Sequence, residues 1–480
     1  MLATAIDFLN GLLWGKVLIY LLVGAGLFFT FRLGFIQLRY FKHGFKVLTQ
    51  SKSDKDGLSS FEVFCTSMAA RVGTGNMAGV AVAIVAGGPG AVFWMWLIAL
   101  LGMATSMIES TLAQVYKVKD SDGKYRGGPA YYMERGLGQR WMGIAFSIAL
   151  IIAFGLVFNA VQANTISDAL HVAFDWDKTL VGLGVVAVSA LVISGGLASV
   201  AKVTVKIVPA MAIGYILLAL VVVAMNISEL PAVFSLIIKS AFGLHEVVAG
   251  GVAYTIAQAM QSGIARGLFS NEAGMGSAAN VAASASANPN HPAAQGFVQM
   301  IGVFFDTIVI CSATAAIILI TGAHETGGEL NGIALTQMAI SGEVGSIGVI
   351  FVAAAIILFC FTSIIANYSY AETNVLFLAK NKTAVLWPFR FVVLAMVMFG
   401  SVAKLQTVWD LADVSMGAMA VINIIAILLL SKLAIRVIND YKRQLAAGEE
   451  PTFDRNKFPE LEGQIAQGVW AKAEPVESTK

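Results

Sequence analysis

Eleven stretches of this chain are apolar over roughly the 20 residues that a helix needs to cross a bilayer. They lie near 13–31, 60–86, 90–116, 141–170, 179–197, 205–225, 246–284, 293–321, 345–379, 385–403 and 409–435. Nothing else constrains the fold as much. A backbone surrounded by lipid must satisfy its own hydrogen bonds, and a helix does so within one segment. Composition agrees, with 58% hydrophobic and 12% charged residues, against roughly 25% charged in a soluble domain. The expected fold is an all-α polytopic membrane protein. Residues 1–12 read as a short interfacial helix, and the chain from about 437 onward as a polar, solvated tail. Cys65, Cys311 and Cys360 all fall in apolar stretches and the five histidines form no cluster, so neither disulfides nor zinc are expected. A net charge of +2 gives no sign of a nucleic-acid partner.

Lys and Arg collect in alternate loops. They are dense in 32–59 and 117–140, recur at Lys202, Lys206, Lys380 and Lys382, and return after Lys432; the loops 171–178 and 322–344 are acidic or neutral apart from Lys178. Positive charge marks the cytoplasmic side, so the N-terminus is expected outside and the C-terminus inside. That orientation requires an odd number of spans.

One stretch occurs twice. Ser67–Gly79 reads SMAARVGTGNMAG and Ser262–Gly274 reads SGIARGLFSNEAG, with Ser, Ala, Arg, Asn, Ala and Gly at identical spacing. The copies lie five spans apart, so they run through the membrane in opposite directions. Spans two to six and seven to eleven form an inverted five-plus-five pair, with the first span appended. The expected divisions are 1–59 (N-terminal helix and loop), 60–225 and 226–436 (the two repeats), and 437–480 (the tail). Hydrophobic segments interrupted by glycine at matching places in two halves point to a transport site at the repeat interface.

In the first copy, Gly73 and Gly75 flank Thr74 in mid-membrane. Each interior Gly costs a helix about 1 kcal/mol relative to Ala, so the helix is expected to unwind before Asn76. Unwinding exposes carbonyls suited to a cation and N–H groups suited to a carboxylate. Close packing of small residues is the alternative, but it has no use for Thr74 or Asn76.

The runs VGTGNMAGVAVAI (72–84) and GGPGAVFWMWLIALLG (87–102) resemble the signature of the alanine or glycine:cation symporter family. GGPAYYMERGLG (127–138), QAN (162–164), RGLFSNEAG (266–274) and ANYSYAETN (366–374) resemble it too, so the likeness covers nearly the whole chain except the tail. The resemblance implies Na⁺-coupled uptake of a small amino acid across the plasma (bacterial-type inner) membrane. It also implies the inverted-repeat fold with discontinuous helices shared with neurotransmitter:sodium symporters. Na⁺ is the implied coupling ion, and no obligate protein partner is indicated.

By that resemblance, the sodium ligands would be the carbonyls of Ala69 and Val72 with the hydroxyls of Thr362 and Ser363. Hard oxygen donors suit such a cation, although a Thr-Ser pair can also bond back to its own helix. Gly73, Thr74, Gly75, Asn76, Gln162 and Ser270 are expected around the substrate, with Phe269 as an apolar wall. An interhelical amide bond is the alternative role for Gln162, and ordinary packing that for Phe269. Arg71 and Arg266, just before each break, are read with Asn271 as structural or gating residues. Glu109, Glu272, Asp306 and Glu372 are candidate partners for the arginines, since intramembrane charges find partners inside the bundle; Glu62 reaches water. Asn367 departs from the family, some members of which carry Trp there. Its short amide implies a roomier, more polar pocket and keeps glutamine and serine in play beside alanine and glycine.

Three other functions fit the sequence less well. Proton coupling needs an ionisable acceptor where the hydroxyl pair offers none. A channel favours an open polar pore over broken helices. An enzyme needs a nucleophile with a base, or a metal cluster, and no such motif is present.

Overall fold

The computed structural model describes residues 2–51, 56–120, 122–244, 255–326 and 330–470. Lys52 and Lys55 of the first basic loop, Glu329, the start of the predicted seventh span (246–254) and Pro475 lie outside them. Among the described residues, eight helices are long and apolar enough to cross a membrane. They are α1 (Ile6–Arg32), α5 (Ala91–Val115), α6 (Arg140–Phe174), α8 (Gly196–Met225), α12 (Ala293–Ile320), α14 (Ser346–Leu378), α15 (Thr383–Val402) and α16 (Leu405–Leu429). A ninth span comes from α3 (Ser60–Arg71) and α4 (Gly75–Gly87), bent by 50° at their junction. The remaining two predicted spans are helical but do not meet that length as single helices. One is α7 (Lys178–Ile193), whose 16 residues cover about 24 Å at 1.5 Å per residue, short of a hydrocarbon core of about 30 Å. The other divides into α10 (Ile256–Asn271) and α11 (Ser277–Ala283).

Both interrupted helices begin alike. Ser59 caps α3 with a reciprocal bond to Glu62, and Thr255 caps α10 with a reciprocal bond to Gln258. Each capping box satisfies two orphan backbone donors. Glu62 is half-buried at its helix end and also serves the cap, where Ser59 N donates to its Oε2 at 2.7 Å.

The basic loops share one end of the bundle with the short helix α2 (Phe41–Thr49). Leu58 N donates to Ser284 O at 3.0 Å, Tyr125 N to Asp56 O at 3.0 Å, and Phe453 N to Asn290 O at 2.9 Å. At the opposite end, α13 (Gly332–Val344) dips over the interior. There Thr336 Oγ1 donates to Met77 O at 3.2 Å and Gln337 Nε2 to Ala169 O at 3.1 Å. A further short helix, α9 (Leu230–Ala241), lies at that same end, where Gly90 packs against the Ser240–Ala241 backbone.

Two expectations need correcting. Residues 2–12 are not a separate interfacial helix: a π-helical turn at Leu13–Val17 carries them into α1. Nor is the region after 437 a loose solvated tail. The amphipathic helix α17 (Ser431–Ala446) lies at the basic end, and the chain beyond it buries Phe453, Phe458, Leu461 and Trp470. Trp470 Nε1 donates to Gln114 O at 2.9 Å, and Tyr116 Oη to Gln464 Oε1 at 2.9 Å. Burial disfavours the charged form of Asp440, but the nearby His291, Gln444 and Lys457 outweigh it and hold the carboxyl down at about 2. Aromatic rings spaced along a polar segment supply the adhesion that average polarity conceals.

Candidate cation and substrate site

The first break, Val72–Thr74, has every exposed donor occupied by a neutral group. Gly73 N donates to Asn76 Oδ1 at 3.0 Å, and Thr74 N donates to Gln162 Oε1 at 2.9 Å. Thr74 Oγ1 reaches the same Gln162 oxygen at 2.9 Å and Thr165 Oγ1 at 3.0 Å. On the carbonyl side, Ser363 Oγ donates to Ala69 O at 2.8 Å and lies 3.5 Å from Val72 O. Gly73 is wedged between α6 and α14, where any Cβ would collide with Ser363 Oγ and Gln162 Oε1. A larger residue there would have to push both of those side chains out of their bonds.

Thr362 is turned away. Its hydroxyl donates to Phe359 O at 3.0 Å and faces Met211 Sδ at 3.8 Å. Adjacent residues of a helix do not share a face, so the expected hydroxyl pair divides and only Ser363 meets the carbonyls. The three oxygens of Ala69, Val72 and Ser363 converge, and their chemistry fits a hard monovalent cation.

The second break joins the first through Asp306. Asn76 Nδ2 donates to Asp306 Oδ1 at 2.7 Å and to Ser270 Oγ at 3.1 Å; Ser270 Oγ donates to Asp306 Oδ2 at 2.7 Å. Asp306 sits in a π-helical stretch of α12, Phe304–Cys311, which swings its carboxylate toward both breaks. Asn271 bonds inside its own break, accepting from Ala273 N at 3.0 Å and donating to Thr307 Oγ1 at 3.3 Å.

Beyond Asn271 the chain turns left-handed at Glu272 (φ 60°), Gly274 (φ 96°) and Gly276 (φ 77°) before α11 begins. The freed donors here face a charge. Gly274 N and Gly276 N donate to the Glu109 carboxylate at 3.4 and 3.1 Å, and Asn423 Nδ2 adds a third bond at 2.9 Å. An anion at a helix N-terminus is the arrangement that the helix dipole favours. Glu272 accepts from Ser277 Oγ at 2.6 Å.

Aromatic rings close the site toward the end opposite the basic loops. Phe269 covers Gly75 at 3.1 Å from the position a Cβ would take, and packs between Phe158 and Trp409 with ring centroids 4.5 and 4.7 Å away. Above them Arg266 stacks on Trp409 at 4.5 Å and pairs with Asp413. Arg71 is buried at 1% exposure beneath the first break, its Nη1 donating to Gln299 O at 3.4 Å. Its Nε and Nη2 have no hydrogen-bond partner among the described residues. Glu372 pairs with Arg126 instead, at 3.6 Å.

Asn367 is buried one turn from Ser363, and its amide donates to Asn159 Oδ1 at 3.2 Å. Asn159 therefore stands in the space that sequence assigned to a roomier pocket. Asn164 does not enter the site, as its amide donates to Gly400 O and Ala403 O at 3.0 and 2.8 Å. Sequence reasoning missed Asn159, Thr165, Trp409 and Asp413. Only Asp413, an acid inside an apolar span, carried a signal that could have found it.

A family profile described as "Sodium:alanine symporter family" matches residues 1–455. "Probable sodium/glutamine symporter GlnT" of Bacillus subtilis is 50% identical over 92% of this chain and 91% of its own. "Amino-acid carrier protein AlsT" of the same organism is 50% identical, covering 93% and 94%. "Sodium/alanine symporter AgcS" of Methanococcus maripaludis is 38% identical, covering 90% and 95%.

Proposed function

The chain belongs to the sodium:alanine symporter family, and from that premise we propose that it imports alanine, with glycine as a second substrate, down a Na⁺ gradient. The observation that carries this reading is the meeting of Ser363 Oγ with the carbonyls of Ala69 and Val72. Na⁺ would sit among those three oxygens, on the carbonyl side of the first break. The amino acid carboxylate would take Thr74 N from Gln162, exchanging one neutral acceptor for a charged one. Phe269 would meet the substrate side chain. The carrier crosses the plasma membrane eleven times, N-terminus outside and tail in the cytoplasm, as two inverted five-helix repeats after one added span. Phe269, Trp409 and the Arg266–Asp413 pair would bar the outer route and the Leu58–Ser284 backbone bond the inner one, an occluded stage of alternating access.

Uptake into proteoliposomes tests this directly. Labelled alanine should accumulate only under an inward Na⁺ gradient, and unlabelled glycine should compete. Uptake driven by glutamine or serine alone would move the substrate assignment to the relatives' other chemistry while leaving the coupling intact.

A second reading rests on Asp306. The case against proton coupling was the lack of an ionisable acceptor, and a carboxyl bonded to Asn76 and Ser270 is one. Accumulation under an inward proton gradient without Na⁺, abolished by Asp306→Asn, would establish it.

A further inference from the structure

A cavity of about 770 Å³ opens at the basic end of the bundle, far larger than one amino acid. Leu58 and Ser284 stand on its wall. These residues flank the far ends of α3 and α11, the two half-helices whose other ends form the central site. The far ends are tied by Leu58 N donating to Ser284 O at 3.0 Å, so a solute moving from the central site between the half-helices would reach this cavity once that bond parts. Glu372, also on the wall, follows Ser363 by nine residues of α14, about 13–14 Å at 1.5 Å per residue.

The charges on the wall are incompletely matched. Glu372 has a side-chain exposure of 4%, and its Oε2 has no hydrogen-bond partner among the described residues. Arg126 donates from Nε to Asp120 at 2.7 Å and reaches Glu372 Oε1 only at 3.6 Å from Nη2. Its Nη1 is likewise without a partner among the described residues. A buried charged atom without a partner is costly and calls for an occupant. Gly196, at φ +62°, leaves the space beside the carboxylate open, since a Cβ there would lie 3.4 Å from Glu372 Oε1. Arg390 is held by donation to Tyr368 Oη at 2.8 Å, and Tyr368, one turn before Glu372 on α14, also lies against the Glu372 carboxyl.

One acid and one guanidinium, each with an unused atom and separated by a loose ion pair, match a free amino acid in its zwitterionic form. We propose that this cavity is a second amino acid site on the exit route, in which Glu372 Oε2 takes the α-ammonium and Arg126 Nη1 takes the α-carboxylate. The assignment rests on the symport reading above, because it takes its ligand from the central site. It needs no Na⁺, since no break carbonyls face it. Both charges of the ligand are required. A substrate leaving the first break exchanges neutral amides for a charged pair, which draws it away from the centre and toward the cytoplasm.

Saturation-transfer NMR with L-alanine and, in parallel, L-glutamine reads weak binding to the purified full-length carrier. The parent and Ser363→Ala should both give a binding signal without Na⁺. Glu372→Gln and Arg126→Gln, each nearly the same size as the original acid or a truncation of the original cation, should lose it. N-acetylalanine and alanine methyl ester, each lacking one charge, should not compete. Should either variant fold poorly, the parent still decides through its Na⁺-free signal and its competition by the two analogues. No Na⁺-free signal from a parent that shows Na⁺-driven uptake overturns the exit site alone, as does a signal that survives both substitutions. A parent without Na⁺-driven uptake of any amino acid overturns the symport reading first.

Discussion

The two copies of the repeated stretch both interrupt a helix, the first at Val72–Thr74 and the second five aligned positions later, after Asn271, and they fill the openings differently. At Val72–Thr74 the freed N–H groups rest on the amides of Asn76 and Gln162, and the carbonyls on the Ser363 hydroxyl. At Glu272–Gly276 the freed N–H groups of Gly274 and Gly276 rest on the buried carboxylate of Glu109. Neutral partners are worth about 0.5–1.5 kcal/mol each in net stability, and charged ones about 1.5–3. The first break is therefore cheap to re-partner, and on the reading proposed above it receives the carboxylate and the cation. The second is held by the Glu109 carboxyl from α5, and on the same reading it serves as a fixed turn. Ser270, on the edge of the sealed copy, still reaches the working one through Asp306.

The largest effect should follow from breaking the seal. Glu109→Ala strands two backbone donors and Asn423, for an expected loss of about 3 kcal/mol or more. Cys65, Cys311 and Cys360 are all buried, so their reaction with a thiol dye on heating reports unfolding, and it should begin at a markedly lower temperature. The surviving folded carrier should keep the parent's Na⁺ dependence. A changed Na⁺ dependence with unchanged stability would reverse the roles of the two breaks.

A smaller loss, about 1–2 kcal/mol in stability, is expected from Gln162→Leu, which leaves Thr74 N without its acceptor. Because an incoming carboxylate then no longer has to displace an amide from Thr74 N, substrate affinity in uptake should tighten by about tenfold, or ~1.4 kcal/mol. Parent-like affinity would make Gln162 an interhelical tie only.

The smallest effect concerns selectivity. Asn367→Trp should preserve alanine uptake and weaken inhibition by glutamine and serine, a discrimination of about 1–3 kcal/mol for a small change in pocket volume. Because Asn159 lies against Asn367 at 3.2 Å, overpacking is the competing cause of any loss. Adding Asn159→Ala separates the two: recovery of alanine uptake assigns the loss to crowding, and no recovery gives Asn367 a direct part in the site.

Much of this was legible in sequence because it depends on local backbone chemistry. Gly73 and Gly75 announced a break, and the matching Ser, Arg and Asn positions announced a second, which falls five positions later than they placed it: Arg266 lies within α10 and Asn271 ends that helix. Loop charge separated the two ends. What sequence concealed were consequences of rotation and reach. Thr362 and Ser363 look like a pair in a string of letters, yet successive helical residues face different neighbours, and Thr362 turns to Met211. Glu109 lies 165 positions from Gly274, so nothing local to either residue says which break it closes. The tail misled for a different reason: its few rings bind the basic end while its average composition stays polar.

The central claim is that the first break holds the cation through Ser363 and not through the second copy. Na⁺ titration of alanine uptake in proteoliposomes tests it, comparing the parent with Ser363→Ala, Thr362→Ala and Glu109→Gln at matched levels of folded carrier. Ser363→Ala should raise the Na⁺ concentration for half-maximal uptake by about tenfold, ~1.4 kcal/mol. Thr362→Ala and Glu109→Gln should leave it within about twofold, ~0.4 kcal/mol. A Ser363→Ala curve that overlies the parent's, or a tenfold shift from Glu109→Gln, would contradict the account.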